Sequence, residues 1–132
     1  MMNIVIWILQ VALAAAFFAH GWMFLFPSPE IAALMNASLP RWFQLFLGVA
    51  EVLAAVGITL PGATGYQSWL VAWAAGGIMI VSVSATVLHL VRGEYSSAAI
   101  TFVLLVAATF VAYMRVRVLP FGQPRRSGRA LA

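Results

Sequence analysis

Apolar residues gather into four blocks, at 4–26, 42–60, 69–91 and 98–118, each long enough to cross the hydrocarbon core of a bilayer, which takes ~20 residues. Lipid offers nothing to backbone donors and acceptors, so apolar runs of this length are predicted to be helices that satisfy those groups internally. Between the second and third blocks, Pro61, Gly62, Gly65 and Ser68 mark a turn, and Arg92, Gly93 and Glu94 mark another before the fourth. Short turns make successive blocks antiparallel neighbours. The first connection is longer and contains Ser28-Pro29-Glu30, a helix cap followed by proline at the first helical position. Ile31, Leu34, Met35 and Leu39 then share most of one face, which suggests a short interfacial helix at 29–36. The pattern therefore predicts an all-α, integral membrane four-helix bundle at 1–118, followed by an Arg-rich tail at 119–132.

Composition agrees with lipid as the solvent. Only 8% of residues are charged and 64% are hydrophobic, an apolar load that a 132-residue soluble domain has no interior to hide. The Ala-rich stretch at 12–16 is read as part of a retained span and not as a signal-peptide cleavage region, because no Lys or Arg precedes it. Cysteine is absent, which excludes dithiol redox chemistry, thiolate metal sites and disulfides. Any redox role then needs a bound cofactor. The net charge of +4 comes from seven arginines, five of them from Arg115 to Arg129. A basic cluster beside a span reads as a topology signal and not as a nucleic-acid interface. It predicts both termini on the cytoplasmic side, with Arg115, Arg117, Arg125, Arg126 and Arg129 inside and Arg41 and Arg92 outside beside Glu30 and Glu94. The expected location is a bacterial cytoplasmic membrane.

Glu51 is the one charged residue set well inside a block, and a carboxylate at that depth calls for a functional explanation. At 1.5 Å per residue it lies ~13 Å below the outer edge, His20 ~9 Å and His89 ~3 Å. Gln44, Gly48, Glu51 and Ala55 share one helix face, and Ser82, Thr86 and His89 form a polar stripe on the third span. If these stripes face the bundle axis, they form an outward-opening pocket with Glu51 at its floor, His20 above, and Gln44, Thr86 and His89 toward the mouth. A lone carboxyl in such surroundings stays neutral, whereas a protonated His20 or a nearby arginine favours the carboxylate. The plainer alternative is that Glu51 joins two helices by a hydrogen bond contributing ~0.6 to 2 kcal/mol. A bis-histidine haem between His20 and His89 is disfavoured by a depth mismatch of ~6 Å. Pairs of small residues four apart, Ala15/Ala19, Ala50/Ala54 and Ala72/Gly76, are expected at close helix contacts.

Two motifs carry a family resemblance. Gly48-Val49-Ala50-Glu51 opens a small-residue-rich second helix stopping at Pro61, and Ala85-Thr86-Val87-Leu88-His89 ends the third before Arg92-Gly93-Glu94. The chain in this respect resembles the DoxX-like family of small bacterial membrane proteins, over roughly residues 4–115. The resemblance implies a four-helix bundle and carries over Gly48, Glu51 and His89 as matching positions. Many relatives have Gly-x-x-Lys near the end of the first helix, and here that stretch is Ala19-His20-Gly21-Trp22-Met23-Phe24. With the lysine missing, His20 or Arg41 must neutralise Glu51, or the glutamate stays protonated. The family has no single established activity; some members are associated with oxidoreductase systems, and its name comes from quinone-linked thiosulfate oxidation, a chemistry not transferred here.

Three functions of different kind fit these residues. One is a lipophilic ligand, a quinone or lipid, held by Glu51, His20, Gln44, His89 and Thr86, or an accessory role beside a membrane redox partner. Another is an intramembrane isomerase or cyclase with Glu51 as general acid or base and His20 or His89 as partner. The last is a proton-coupled transporter, which would need a homo-oligomer to enclose a path.

Overall fold

A computed structural model of the protein describes residues 1–121, so the expectations for Arg125, Arg126 and Arg129 lie outside the described residues. Among the described residues five α-helices follow one another: α1 at Met2–Leu25, α2 at Pro29–Asn36, α3 at Arg41–Thr64, α4 at Leu70–Val91 and α5 at Tyr95–Tyr113. A wider π-turn, Met114–Val118, extends α5, with the Leu119 amide donating to the Met114 carbonyl at 2.7 Å. Four of these helices, α5 counted with its π-turn, are long and apolar enough to cross a membrane. The chain is accordingly a multi-pass membrane protein.

Helix ends follow local chemistry. Ser28 Oγ accepts from the Ile31 amide at 3.4 Å and Pro29 occupies the first turn, which starts α2 where the cap signal put it. Helix α4 closes with reciprocal bonds, Glu94 amide to His89 carbonyl at 2.8 Å and Gly93 amide to Leu90 carbonyl at 3.1 Å. This arrangement needs a left-handed residue, and Gly93 has φ of 72°. The turn expected at Pro61 forms later. Helix α3 runs through Pro61 to Thr64 and stops at Gly65, also at φ of 72°. Proline removes one backbone donor, and a membrane helix tolerates this where neighbouring groups engage the freed backbone. Separately, Gln10 Nε2 of α1 donates to the Ile58 carbonyl of α3 at 2.5 Å and ties the two helices together near this point.

Helix α1 packs along α3, α3 along α4, and α4 along α5, while α5 returns to α1 with the loosest contact in the ring. Ile6, Leu13, Phe17, Ala55, Ile58, Val71, Ala75, Ile78, Ala108, Val111 and Met114 fill the centre. The polarity of inside and outside is that of a protein in lipid. Gln10, Gln44, Glu51, Ser82 and Arg115 are buried, whereas large apolar side chains such as Ile8, Phe46, Leu53, Ile80 and Val103 face outward.

Helices α1 and α3 cross in backbone-to-backbone contact. A Cβ placed on Gly21 would lie 2.9 Å from the Gly48 carbonyl oxygen, and one on Gly48 would lie 2.9 Å from the Gly21 carbonyl oxygen. Between α3 and α4, Gly57 meets the Ala74 Cβ. The expected close contact at Ala72/Gly76 does not involve Gly76, because a Cβ there would meet nothing within 4 Å. Replacing Gly21 by Ala is expected to cost about 1–3 kcal/mol through overpacking against backbone that has no room to move. Gly77→Ala, where a Cβ likewise meets nothing within 4 Å, is expected to be neutral or slightly stabilising. Unfolding in detergent, followed by circular dichroism, checks the contrast.

Candidate functional site

Gly48 and Glu51 stand one helical turn apart on the buried face of α3, together with Gln44 and Ala55. Since Gly48 lets α1 approach to backbone contact, the Glu51 side chain spans the remaining gap, and its Oε2 lies 2.7 Å from His20 Nδ1. The two partners differ in access. Glu51 is 1% exposed and the His20 side chain 53%, so the buried carboxyl is reached from the bundle surface through the imidazole. The Phe24 ring stands edge-on to His20 at 4.8 Å and fixes the imidazole from the other side.

This pairing links two protonation states. With Glu51 ionised, Nδ1–H donates to it, and Nε2 is an acceptor in the neutral ring or a donor in the cation. With Glu51 protonated, the carboxyl donates to Nδ1 and Nε2 carries the proton outward. The other ring nitrogen, Nε2, has no hydrogen-bond partner among the described residues. Of the two basic candidates to replace the missing lysine, His20 makes the contact. Arg41 is engaged elsewhere: it donates to the Phe24 and Leu25 carbonyls at 2.8 and 3.0 Å and to Gln44 Oε1 at 3.2 Å. It caps the end of α1, where a cation also suits the helix dipole.

The remaining sequence candidates occupy separate hydrogen-bonded groups. Gln44 is fully buried, and its Nε2 donates to Asn36 Oδ1 at 2.9 Å and the Leu39 carbonyl at 2.8 Å, tying α2 to α3. Thr86 Oγ1 bonds the Ser82 carbonyl at 2.7 Å and Thr101 Oγ1 at 2.9 Å, so it joins α4 to α5. Ser82 Oγ is buried without a hydrogen-bond partner among the described residues. His89 pairs through Nδ1 with Glu94, the residue that the closing turn of α4 carries back beside it. Of the five candidates, His20 and Glu51 are brought into direct contact, and Gln44, Thr86 and His89 each satisfy other neighbours.

A second polar centre lies at the opposite end of the bundle. Arg115 is 5% exposed; its Nε donates to Gln10 Oε1 at 2.8 Å and its Nη1 to Asn3 Oδ1 at 2.9 Å. The Phe121 ring covers the guanidinium with its centroid at 3.9 Å, and Trp7 lies at 5.5 Å. Gly62 makes room for Phe121, since a Cβ there would fall 2.6 Å from the ring. Arg115, grouped in the sequence with the free cytoplasmic charges, is instead folded into the bundle. The signal for it was present: Ala108, Val111 and Arg115 follow one face at spacings of three and four, as do Ile6, Gln10, Leu13 and Phe17 on α1. Arg115→Met is expected to lose about 1–3 kcal/mol by stranding the buried Gln10 Oε1. Adding Gln10→Met should cost less than the sum of the single changes, and a double-mutant cycle in detergent measures that coupling.

No curated protein and no solved structure matches the chain. The DoxX-like family matches over residues 8–111, a stretch that includes His20, the Gly48-x-x-Glu51 turn and His89. The extent of that match places the protein as a member of the DoxX-like family.

Proposed function

We propose that this protein binds a lipophilic small molecule with a polar head, of the quinone or lipid class, at the His20–Glu51 pair. The observation that carries the reading is a carboxyl 1% exposed, joined at 2.7 Å to an imidazole that is half-exposed on the bundle surface. A ligand arriving from the bilayer meets the His20 ring beside Phe24, whose ring stands edge-on to it at 4.8 Å. Its head then meets one polar atom, Nε2, whose donor or acceptor character Glu51 sets. A quinone carbonyl accepts from Nε2–H, and a phenolic or hydroxyl head donates to the unprotonated nitrogen. Such a site also suits an accessory subunit that presents a lipophilic cofactor to a membrane redox partner.

The same contact favours one alternative. A histidine bonded to a buried carboxyl is the geometry of general acid–base catalysis, so an intramembrane isomerase or cyclase using Glu51 with His20 is the second reading. In both, the pair lies toward the outer face of a bacterial cytoplasmic membrane with the two termini inside, an orientation supported by the arginine bias of the sequence. Helix α2 then lies along the outer interface.

Mass spectrometry of small molecules retained in nanodiscs tests the proposal, comparing wild type with Glu51→Gln at matched folding. The expected result is a specific quinone or lipid species in wild type that falls about tenfold in the mutant, equivalent to losing one charge-assisted hydrogen bond. Identical profiles of bulk lipid in both samples would contradict it. Conversion of that species by wild type and not by the mutant would select the enzymatic reading.

A further inference from the structure

The seam between α1 and α5, where the helix ring is least closed, holds an open apolar groove of about 370 Å³ lined by Leu9, Phe102, Val103, Val106, Ala107 and Phe110. No polar atom lines it. A second apolar groove, about 280 Å³, shares Val103 and continues the surface toward the start of α5. The face does not end with the apolar residues. Phe102, Val106, Phe110, Tyr113 and Arg117 follow one another at spacings of four, four, three and four, so the groove's own stripe terminates in a phenol and a guanidinium. Both are accessible: Tyr113 is 60% exposed, and Arg117 is exposed with no hydrogen-bonded or ionic partner among the described residues.

Charge at this end is one-sided. The chain's three acidic residues, Glu30, Glu51 and Glu94, belong to the opposite half of the bundle, the last two engaged by His20 and His89. Arg115 meets only neutral oxygens and aromatic faces, and its Nη2 is buried without a partner. Two guanidinium groups therefore sit at one end of an apolar groove with no carboxylate beside them among the described residues.

We infer that the α1–α5 seam is a binding site for an anionic phospholipid, with an acyl chain in the groove and the phosphate on Arg117. Tyr113 sits at headgroup level, where its ring remains in the apolar layer and its hydroxyl reaches the phosphate and glycerol oxygens. Arg115 adds positive potential from within the protein while it holds α1 against the π-turn and so maintains the groove's inner end. The occupant is fixed by the combination: an all-apolar channel takes a chain, and an uncompensated arginine at its end takes an anion. This site is separate from the His20–Glu51 pair and does not depend on the function proposed for it.

Native mass spectrometry of the full chain, released from mixed vesicles of phosphatidylglycerol and phosphatidylcholine with identical acyl chains, tests the inference. Phosphatidylglycerol is expected to be retained about fivefold over phosphatidylcholine. Arg117→Gln should remove that preference, Val106→Trp should lower retention of both lipids, and Arg92→Gln at the other end should leave the preference unchanged, with helicity checked for each variant. Equal retention of the two lipids by wild type would overturn the proposal, as would a preference that survives Arg117→Gln. A dimer abolished by Val106→Trp would also overturn it, because the seam would then belong to a second copy of the chain.

Discussion

A carboxyl group placed in hydrocarbon must be neutralised or partnered, and the α1–α3 crossing exists in a form that supplies the partner. Gly21 and Gly48 bring two backbones to within the reach of a carbonyl oxygen, closer than any pair of side-chain-bearing residues permits. One turn deeper, the Glu51 side chain lies at the same joint and meets His20 of α1. The glycine and glutamate of the Gly48-x-x-Glu51 turn are thus two halves of one device. The first sets the interhelical distance that the second needs. Arg41 reinforces the same joint from above by holding the last carbonyls of α1 while Gln44 gathers α2 onto α3.

The bundle is built from two unequal ends. One contains every acidic residue, each of the two histidines paired with a glutamate, and the polar joints among α1, α2 and α3. The other contains Arg115 held by Asn3, Gln10, Trp7 and Phe121, with no acid beside it among the described residues. Burying a guanidinium is tolerated there because amide oxygens and aromatic faces replace part of its hydration. The result fastens the π-turn to α1 across a seam that has little other packing. Structural stiffness and chemical potential are consequently separated: the α1–α3 joint is tight and carries the acid, while the α1–α5 seam is open and apolar.

Which features could be read from the sequence follows from how local each one is. The four long helices were legible because their apolar blocks are a property of the residues alone, and α2 because Ser28-Pro29 is a self-contained start signal. Pro61 was misread as a stop: α3 continues through it and ends at Gly65, whose left-handed backbone is the actual terminator. Periodicity correctly put Gln44, Gly48 and Glu51 on one buried face. It could not assign partners, since helix rotation and depth decide that His20 reaches Glu51 while Thr86 finds Thr101 and His89 finds Glu94. Arg115 was missed for a different reason. Its position at the end of an apolar run suggests free charge, and only its spacing from Val111 shows that it turns inward.

The chain has two histidines and three acidic residues, so isotope labelling isolates the central contact almost without ambiguity. The most direct measurement is the dipolar coupling between the His20 imidazole nitrogen and the Glu51 carboxyl carbon, by solid-state NMR of the protein in bilayers. A strong coupling that disappears in Gly48→Leu is the predicted result, because the wider crossing would separate the pair. Absence of coupling in the wild-type protein, or a coupling untouched by Gly48→Leu, would contradict the account.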